Sequence, residues 1–235
     1  MIDLYELAGR DPELRFSPYC WRARMALAHK GLEPRTIAWR FHQGERLPGA
    51  PQNRTVPVLV DDGAVFGDSA VIATHLEERY ANGPSLFGGQ VGEAHANFIT
   101  AWSDRVLLPA FAPIASPYVF DQLDPADQPY FRETREKRLG MTLEAARSSA
   151  PGRLPAAQSV LAPLHRTLTR QDFLGGDEPS YADYAAFSTF QWLRCIGAPD
   201  PLAHDDPALP WREAMLDLFD GLARNAPVAE PAQAS

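Results

Sequence analysis

Cysteine is nearly absent. Cys20 and Cys195 are the only two, too few for a disulfide framework, and such usage fits a reducing, cytoplasmic compartment. No Lys/Arg tract occurs, and the formal net charge is −8. An acidic chain without a basic patch is a poor partner for nucleic acid. No apolar run approaches the roughly 20 residues that a membrane helix needs. Residues 1–7 have neither a basic leader nor an apolar stretch, so a signal peptide and a membrane partner are not expected. Six histidines are scattered without HxxH, HExxH or Cys/His grouping, so no metal site is expected. There is no internal repeat.

What is present is ordinary globular composition, 45% hydrophobic and 22% charged over 235 residues. A chain of this size buries roughly 70–75% of its unfolded surface and needs no staples. Residues 2–7 alternate apolar and polar and read as a strand. After a loop, Ser17 and Pro18 open a helix. Serine can cap the free N–H groups there, and proline at the first helical position gives up an N–H that has no partner anyway. Lys30, Gly31 and Pro34 close that helix.

Residues 36–41 read as a second strand and 42–54 as a polar loop with one short helix. A third strand over 56–60 admits Pro57 because the proline leads it. Asp62-Gly63 turns a hairpin into 64–66, and Gly67-Asp68-Ser69 starts a helix with Val71, Ile72 and Leu76 on its apolar face. This makes a small α/β domain over 1–81. The Gly/Pro-rich stretch 82–92 reads as a linker. Then the pattern turns helical, over 93–120, 126–149, 155–171, 180–196 and 208–224. Ser180 and Asp183 form a capping box. The fold class is α/β plus all-α, with a helical domain over 93–225 and a disordered Ala/Pro tail over 226–235.

A Ser-Pro helix start, a strand-initial proline and an Asp-Ser helix start are each ordinarily structural. In this order, within one α/β unit and ahead of a helical domain, they resemble the glutathione transferase superfamily. The runs Ser17-Pro18-Tyr19-Cys20-Trp21-Arg22 and Val56-Pro57-Val58-Leu59-Val60-Asp61-Asp62-Gly63 look like bacterial glutathione-dependent β-aryl ether-cleaving enzymes and related fungal transferases. The resemblance implies a thioredoxin-like first domain with a mixed sheet, glutathione as co-substrate without a metal, and a homodimer. It also implies an apolar electrophile, aromatic or an aryl ether, in a site between the domains, and a role in detoxification.

The resemblance also implies residue roles. A cis Val56–Pro57 bond would turn the Val56 backbone toward the cysteinyl unit of glutathione. Asp68 and Ser69 would hold the γ-glutamyl end, with Ser69 at a helix N-terminus suited to a carboxylate. His42, Gln43 and Arg54 are the candidates for the glycyl carboxylate, and the sequence does not choose among them. Ser17 is the catalytic candidate. An ordinary thiol is only a few per cent ionised near neutrality, and a serine hydroxyl at a helix N-terminus can stabilise the thiolate. Residues 102–104 and 111–120 are the expected wall of the second substrate site. Ser17-Pro18-Tyr19-Cys20 also looks like the Cys-Pro-Tyr-Cys motif of glutaredoxins with its nucleophile replaced. Cys20 is thus either a packed small residue or the site of a mixed disulfide. Two further readings stay open: a non-catalytic binding protein of this fold, and a thiol oxidoreductase using Cys20.

Overall fold

Strand β1 (Ile2–Leu7) leads into helix α1 (Pro18–His29), strand β2 (Arg35–Trp39) and a short 3-10 turn, Phe41–Arg46. Strands β3 (Val58–Asp61) and β4 (Ala64–Gly67) and helix α2 (Ser69–Arg79) complete the first unit. The computed structural model describes residues 1–50 and 52–230. The strands form one mixed sheet in the order β2-β1-β3-β4, with β1 and β2 parallel and the other pairs antiparallel. The parallel pair is joined through α1, the crossover that parallel strands require. Asp62 and Gly63 both take positive φ in the β3–β4 hairpin, as the tight turn demands.

Everything after this unit is helical. Helix α3 (Gln90–Trp102) runs through a π turn, Ser103–Leu107, into α4 (Leu108–Gln122). It begins inside the stretch expected as linker. The helix expected over 126–149 is two helices, α5 (Gln128–Leu139) and α6 (Leu143–Ser159), because Gly140 adopts a left-handed C-cap between them. The helix expected over 155–171 shrinks to α7 (Ala162–Leu168). Helices α8 (Tyr181–Cys195) and α9 (Leu209–Gly221) finish the chain. No described helix is long and apolar enough to cross a membrane. Within the expected tail, Ala229 is buried and donates its N–H to Cys195 O at 2.8 Å; residues 231–235 lie outside the described residues.

The core is continuous across the two units. Helix α1 is buried on most of its surface, with Cys20, Trp21, Arg22, Ala23, Met25, Ala26 and Leu27 all inaccessible, because it is sandwiched between the sheet and α8. That placement puts its N-terminus at the seam between the two units.

Candidate functional site

Register alone brings three features to one end of the sheet. Val58 pairs with Tyr5 near the end of β1 and with Gly67 at the end of β4. The chain therefore enters β3 beside the point where β1 releases toward α1, and beside the point where β4 releases into α2. Ser17, the Val56–Pro57 pair and Asp68-Ser69 share this end.

Ser17 is the N-cap of α1, with extended φ/ψ, and is only 5% exposed. Its Oγ accepts the Cys20 N–H at 3.4 Å, a long cap bond, and its carbonyl accepts the Trp21 N–H at 3.0 Å. The hydroxyl also lies against the Cys20 thiol. Rotation about one bond turns its hydrogen elsewhere, since a hydroxyl rotor is not held by the backbone.

The Val56–Pro57 bond is cis, as the resemblance implies. Pro57 is buried and Val56 half-buried. Asp68 caps α2 through a 2.7 Å bond from Ala70 N–H, in a sparsely populated backbone conformation (φ +71°, ψ +134°). Such conformations persist where the surroundings dictate them, often at ligand sites. Ser69 is buried beside it at the positive end of the helix. His42, Gln43 and Arg54 line one open groove of about 750 Å³ with Asn53 and Arg46. His42 uses Nδ1 on Asp127 at 2.8 Å, which leaves its Nε2 edge unassigned. Gln43 uses Oε1 to accept the Arg40 N–H at 3.1 Å and so serves its own turn.

Three residues that matter here were not singled out from sequence. Arg22 is fully buried and paired. Its Nε donates to Ser188 at 3.1 Å, and one terminal nitrogen reaches Ser103 at 3.1 Å and Asp104 at 2.8 Å. One guanidinium thus bolts α1 to α8 and to the π turn. The signal was available: a charge on a helix otherwise buried all round needs a buried partner. Ser103 and Asp104 are consumed by this bolt, and Phe111 is core, so of the aromatic side chains in the expected wall Trp102, Tyr118 and Phe120 stay half-buried. Tyr181, first residue of α8, is buried with its hydroxyl facing Ser69 yet making no hydrogen bond. Burial pushes its pKa up to about 12 despite nearby Arg22. Asp127, buried at the start of α5, accepts the backbone N–H groups of Phe41 (3.2 Å) and His42 (2.8 Å) as well as the imidazole. Nothing local in sequence announces that pairing, which spans more than eighty residues.

Cys20 is fully buried, and burial pushes its thiol up to about 12. A thiol must be an accessible thiolate to exchange, and the structure holds Cys20 as a packed side chain of α1. Among the described residues no group of three or more His, Cys, Asp or Glu is placed to hold a metal ion.

Comparison with known proteins adds a second line. Residues 12–85 match a family model described as glutathione S-transferase, N-terminal domain, and residues 94–204 one described as glutathione S-transferase, C-terminal domain. A glutathione S-transferase from Ceriporiopsis subvermispora, solved in complex with glutathione, superposes with TM-score 0.76. It is 26% identical and covers 97% of this chain and 99% of its own. Glutathione transferase GSTFuA3 from Phanerochaete chrysosporium superposes with TM-score 0.72 at 29% identity, covering 94% of this chain and 92% of its own. Glutathione transferase GST 23 of Zea mays is 26% identical over 183 residues, 77% of this chain and 70% of that protein.

Proposed function

Because this chain belongs to the glutathione S-transferase superfamily, we propose that it binds glutathione at the shared end of the sheet and ionises its thiol with Ser17. The observation that carries this is the hydroxyl at the start of α1: buried, accepting from its own helix over a long 3.4 Å, and able to turn its hydrogen toward a ligand. Around it, the Val56 backbone aligns the cysteinyl unit, and Ser69 with the α2 N-terminus takes the γ-glutamyl carboxylate. Asp68 keeps one carboxylate oxygen for the ammonium while the other caps Ala70. The groove of His42, Gln43 and Arg54 receives the glycyl carboxylate.

The energetics close. Lowering a thiol pKa from about 8.5 to about 6.5 takes about 2.7 kcal/mol. A charge-assisted hydrogen bond contributes about 1.5–3 kcal/mol and a helix terminus about 0.3–1 kcal/mol. The thiol proton leaves to solvent. The sulfur then forms a bond to an electrophilic carbon, and the leaving group departs with the electron pair of the bond that breaks.

The electrophile we assign to the cleft between the units is an aromatic compound, with aryl ethers as the class. Support comes from the half-buried rings of Trp102, Tyr118 and Phe120 and from the sequence runs that resemble the ether-cleaving enzymes. For an aryl ether, a phenoxide leaves and takes a proton from water. The protein works in the cytoplasm as a homodimer in this reading. Exposed Val71 on α2 and Val91 and Phe98 on α3 are the apolar surface a second copy would cover. Ultraviolet difference titration with glutathione at several pH values tests the central claim. Native protein should show thiolate absorbance near neutrality and Ser17→Ala should shift it to higher pH. Identical titrations would remove Ser17 from the mechanism. Conversion of a dimeric phenolic β-aryl ether, followed by chromatography, tests the substrate class.

A further inference from the structure

Helix α5 reaches from the helical unit onto the first unit, and its contacts fix which way its side chains look. At its start Asp127 holds the Phe41 and His42 N–H groups at 3.2 and 2.8 Å. One turn on, Phe131 packs on Phe41 with ring centroids 6.3 Å apart. Near its end Arg138 lies within electrostatic reach of the Tyr19 hydroxyl, at the start of α1. Asp127, Phe131 and Arg138 follow one another at four and seven residues, so they form one stripe. That stripe spans the first unit from the Phe41–Arg46 turn to α1. A second stripe belongs to α6, where Arg132 meets Glu144 at 2.9 Å. Arg135 follows Phe131 by four residues and Arg132 by three. It therefore projects between the two stripes, into the cleft that α5 covers.

Arg135 is half-buried. Its guanidinium lies 4.7 Å from the Phe131 ring centre and donates to Thr134 Oγ1 at 3.1 Å. Among the described residues, neither Arg135 nor Arg138 makes an ion pair. The acids are spent on other groups: Glu136 and Glu144 on Arg132, Asp104 on Arg22, and Asp127 on the Phe41 and His42 backbone. Burial, and then the like charge of Arg138, pull the Arg135 pKa below the usual guanidinium value. A partly desolvated cation beside a second cation is unfavourable until an anion joins it. In the glutathione reading, both carboxylates of the tripeptide are taken up by Ser69 and the His42 groove. Arg135 stands eight residues beyond Asp127, about 12 Å along the helix at 1.5 Å per residue.

We propose that the electrophile taken by this cleft is an aromatic compound bearing a carboxylate, which Arg135 grips. The planar fork of Arg135 matches the two carboxylate oxygens, and Arg138 adds its field. So held, the ring presents its electrophilic carbon to the sulfur at Ser17. Arg135 is a specificity-determining residue in this account, and the inference rests on the glutathione reading of the same site.

Steady-state kinetics at saturating glutathione test it with 4-chloro-3,5-dinitrobenzoate and its methyl ester. In both, the sulfur bonds the chlorine-bearing carbon, and chloride leaves with the electron pair of the broken bond. The acid should show a KM about tenfold below that of the ester, the scale of one charge-assisted hydrogen bond. Arg135→Met, which keeps an apolar chain over Phe131, should lower the acid-to-ester ratio of kcat/KM about tenfold. Arg135→Lys should restore part of it. Glutathione affinity, read by ultraviolet difference titration, should stay the same in both variants. Equal KM values for acid and ester in native protein would overturn the assignment. So would an unchanged ratio in Arg135→Met, or weakened glutathione binding there. Equilibrium dialysis of unreactive 3,5-dinitrobenzoate separates the two readings. Binding that drops about tenfold in Arg135→Met supports the carboxylate site, and a failure of glutathione to bind would then sink only the function reading. Binding indifferent to Arg135 sinks the carboxylate site whatever glutathione does.

Discussion

Helices α1 and α8 lie against each other, and each starts on a serine cap, yet the two starts are built to different standards. At α8, Ser180 Oγ accepts the Ala182 N–H at 3.2 Å. Asp183, three residues on, accepts from Leu174 N, Gly175 N, Ser180 N and Trp211 Nε1, all between 2.7 and 2.9 Å. Burial pushes that carboxyl above the ordinary range while the donors pull it down. Every oxygen is committed. At α1, Ser17 has no acidic residue in the first turn and makes one long cap bond. A saturated start ties a loop and α9 to α8 and leaves nothing over for a ligand. An unsaturated start keeps a hydroxyl and a helix terminus available. Within one fold, the degree of satisfaction separates the framework from the candidate chemistry.

Breaking the saturated start gives the largest effect. Asp183→Ala leaves three donors outside its own capping turn without an acceptor, each costing about 1–3 kcal/mol. The expected loss is about 3–6 kcal/mol, or a Tm lower by roughly 10 °C for a chain of this size, measured by thermal denaturation. The unsaturated start behaves oppositely. Ser17→Ala should lower kcat about 10- to 100-fold, for loss of the ~1.5–3 kcal/mol of its charge-assisted hydrogen bond, with stability changed by less than about 1 kcal/mol. A large drop in Tm with kcat retained would erase the distinction between the two starts.

The far end of α2 sharpens the comparison through pH. Glu77 accepts from Lys30 Nζ at 2.6 Å, from Leu86 N at 2.9 Å and from the Ser85 hydroxyl. Burial alone would raise its pKa; these partners outweigh burial and hold it below the usual carboxylate range. A depressed folded pKa means stability that is present above the unfolded value and lost as pH falls through the folded one. Glu77→Gln should therefore destabilise near neutrality by about 1 kcal/mol, with the difference from native shrinking below about pH 4.5 in denaturant titrations. The smallest effect is expected beside Ser17 itself. Cys20→Ala should cost about 1 kcal/mol for the lost packing volume and leave turnover within about twofold. Loss of turnover in this variant would return the thiol to the mechanism.

Local punctuation was legible because its physics is local. Ser17-Pro18, Asp62-Gly63, Asp68-Ser69 and Ser180/Asp183 act within a turn of their own position, and each appears in the structure where the sequence puts it. Helix ends without such marks were less legible: α3 begins in the Gly-rich stretch read as linker, and Gly140 divides one expected helix into two. The half of the site drawn from the helical unit was not legible at all. Arg22 with Asp104, His42 with Asp127, and Tyr181 with Ser69 join residues far apart in the chain, and no periodicity encodes such distances.

By itself, the sequence determined the capped helix starts at Ser17, Asp68 and Ser180, that a mixed α/β unit precedes a helical one, and that Ser17, Val56 and Ser69 belong to the α/β unit. Only the tertiary structure decided which of those groups are spent on holding the fold and which remain free. Satisfaction of a polar group depends on partners that folding brings near, and a one-dimensional pattern carries no record of them.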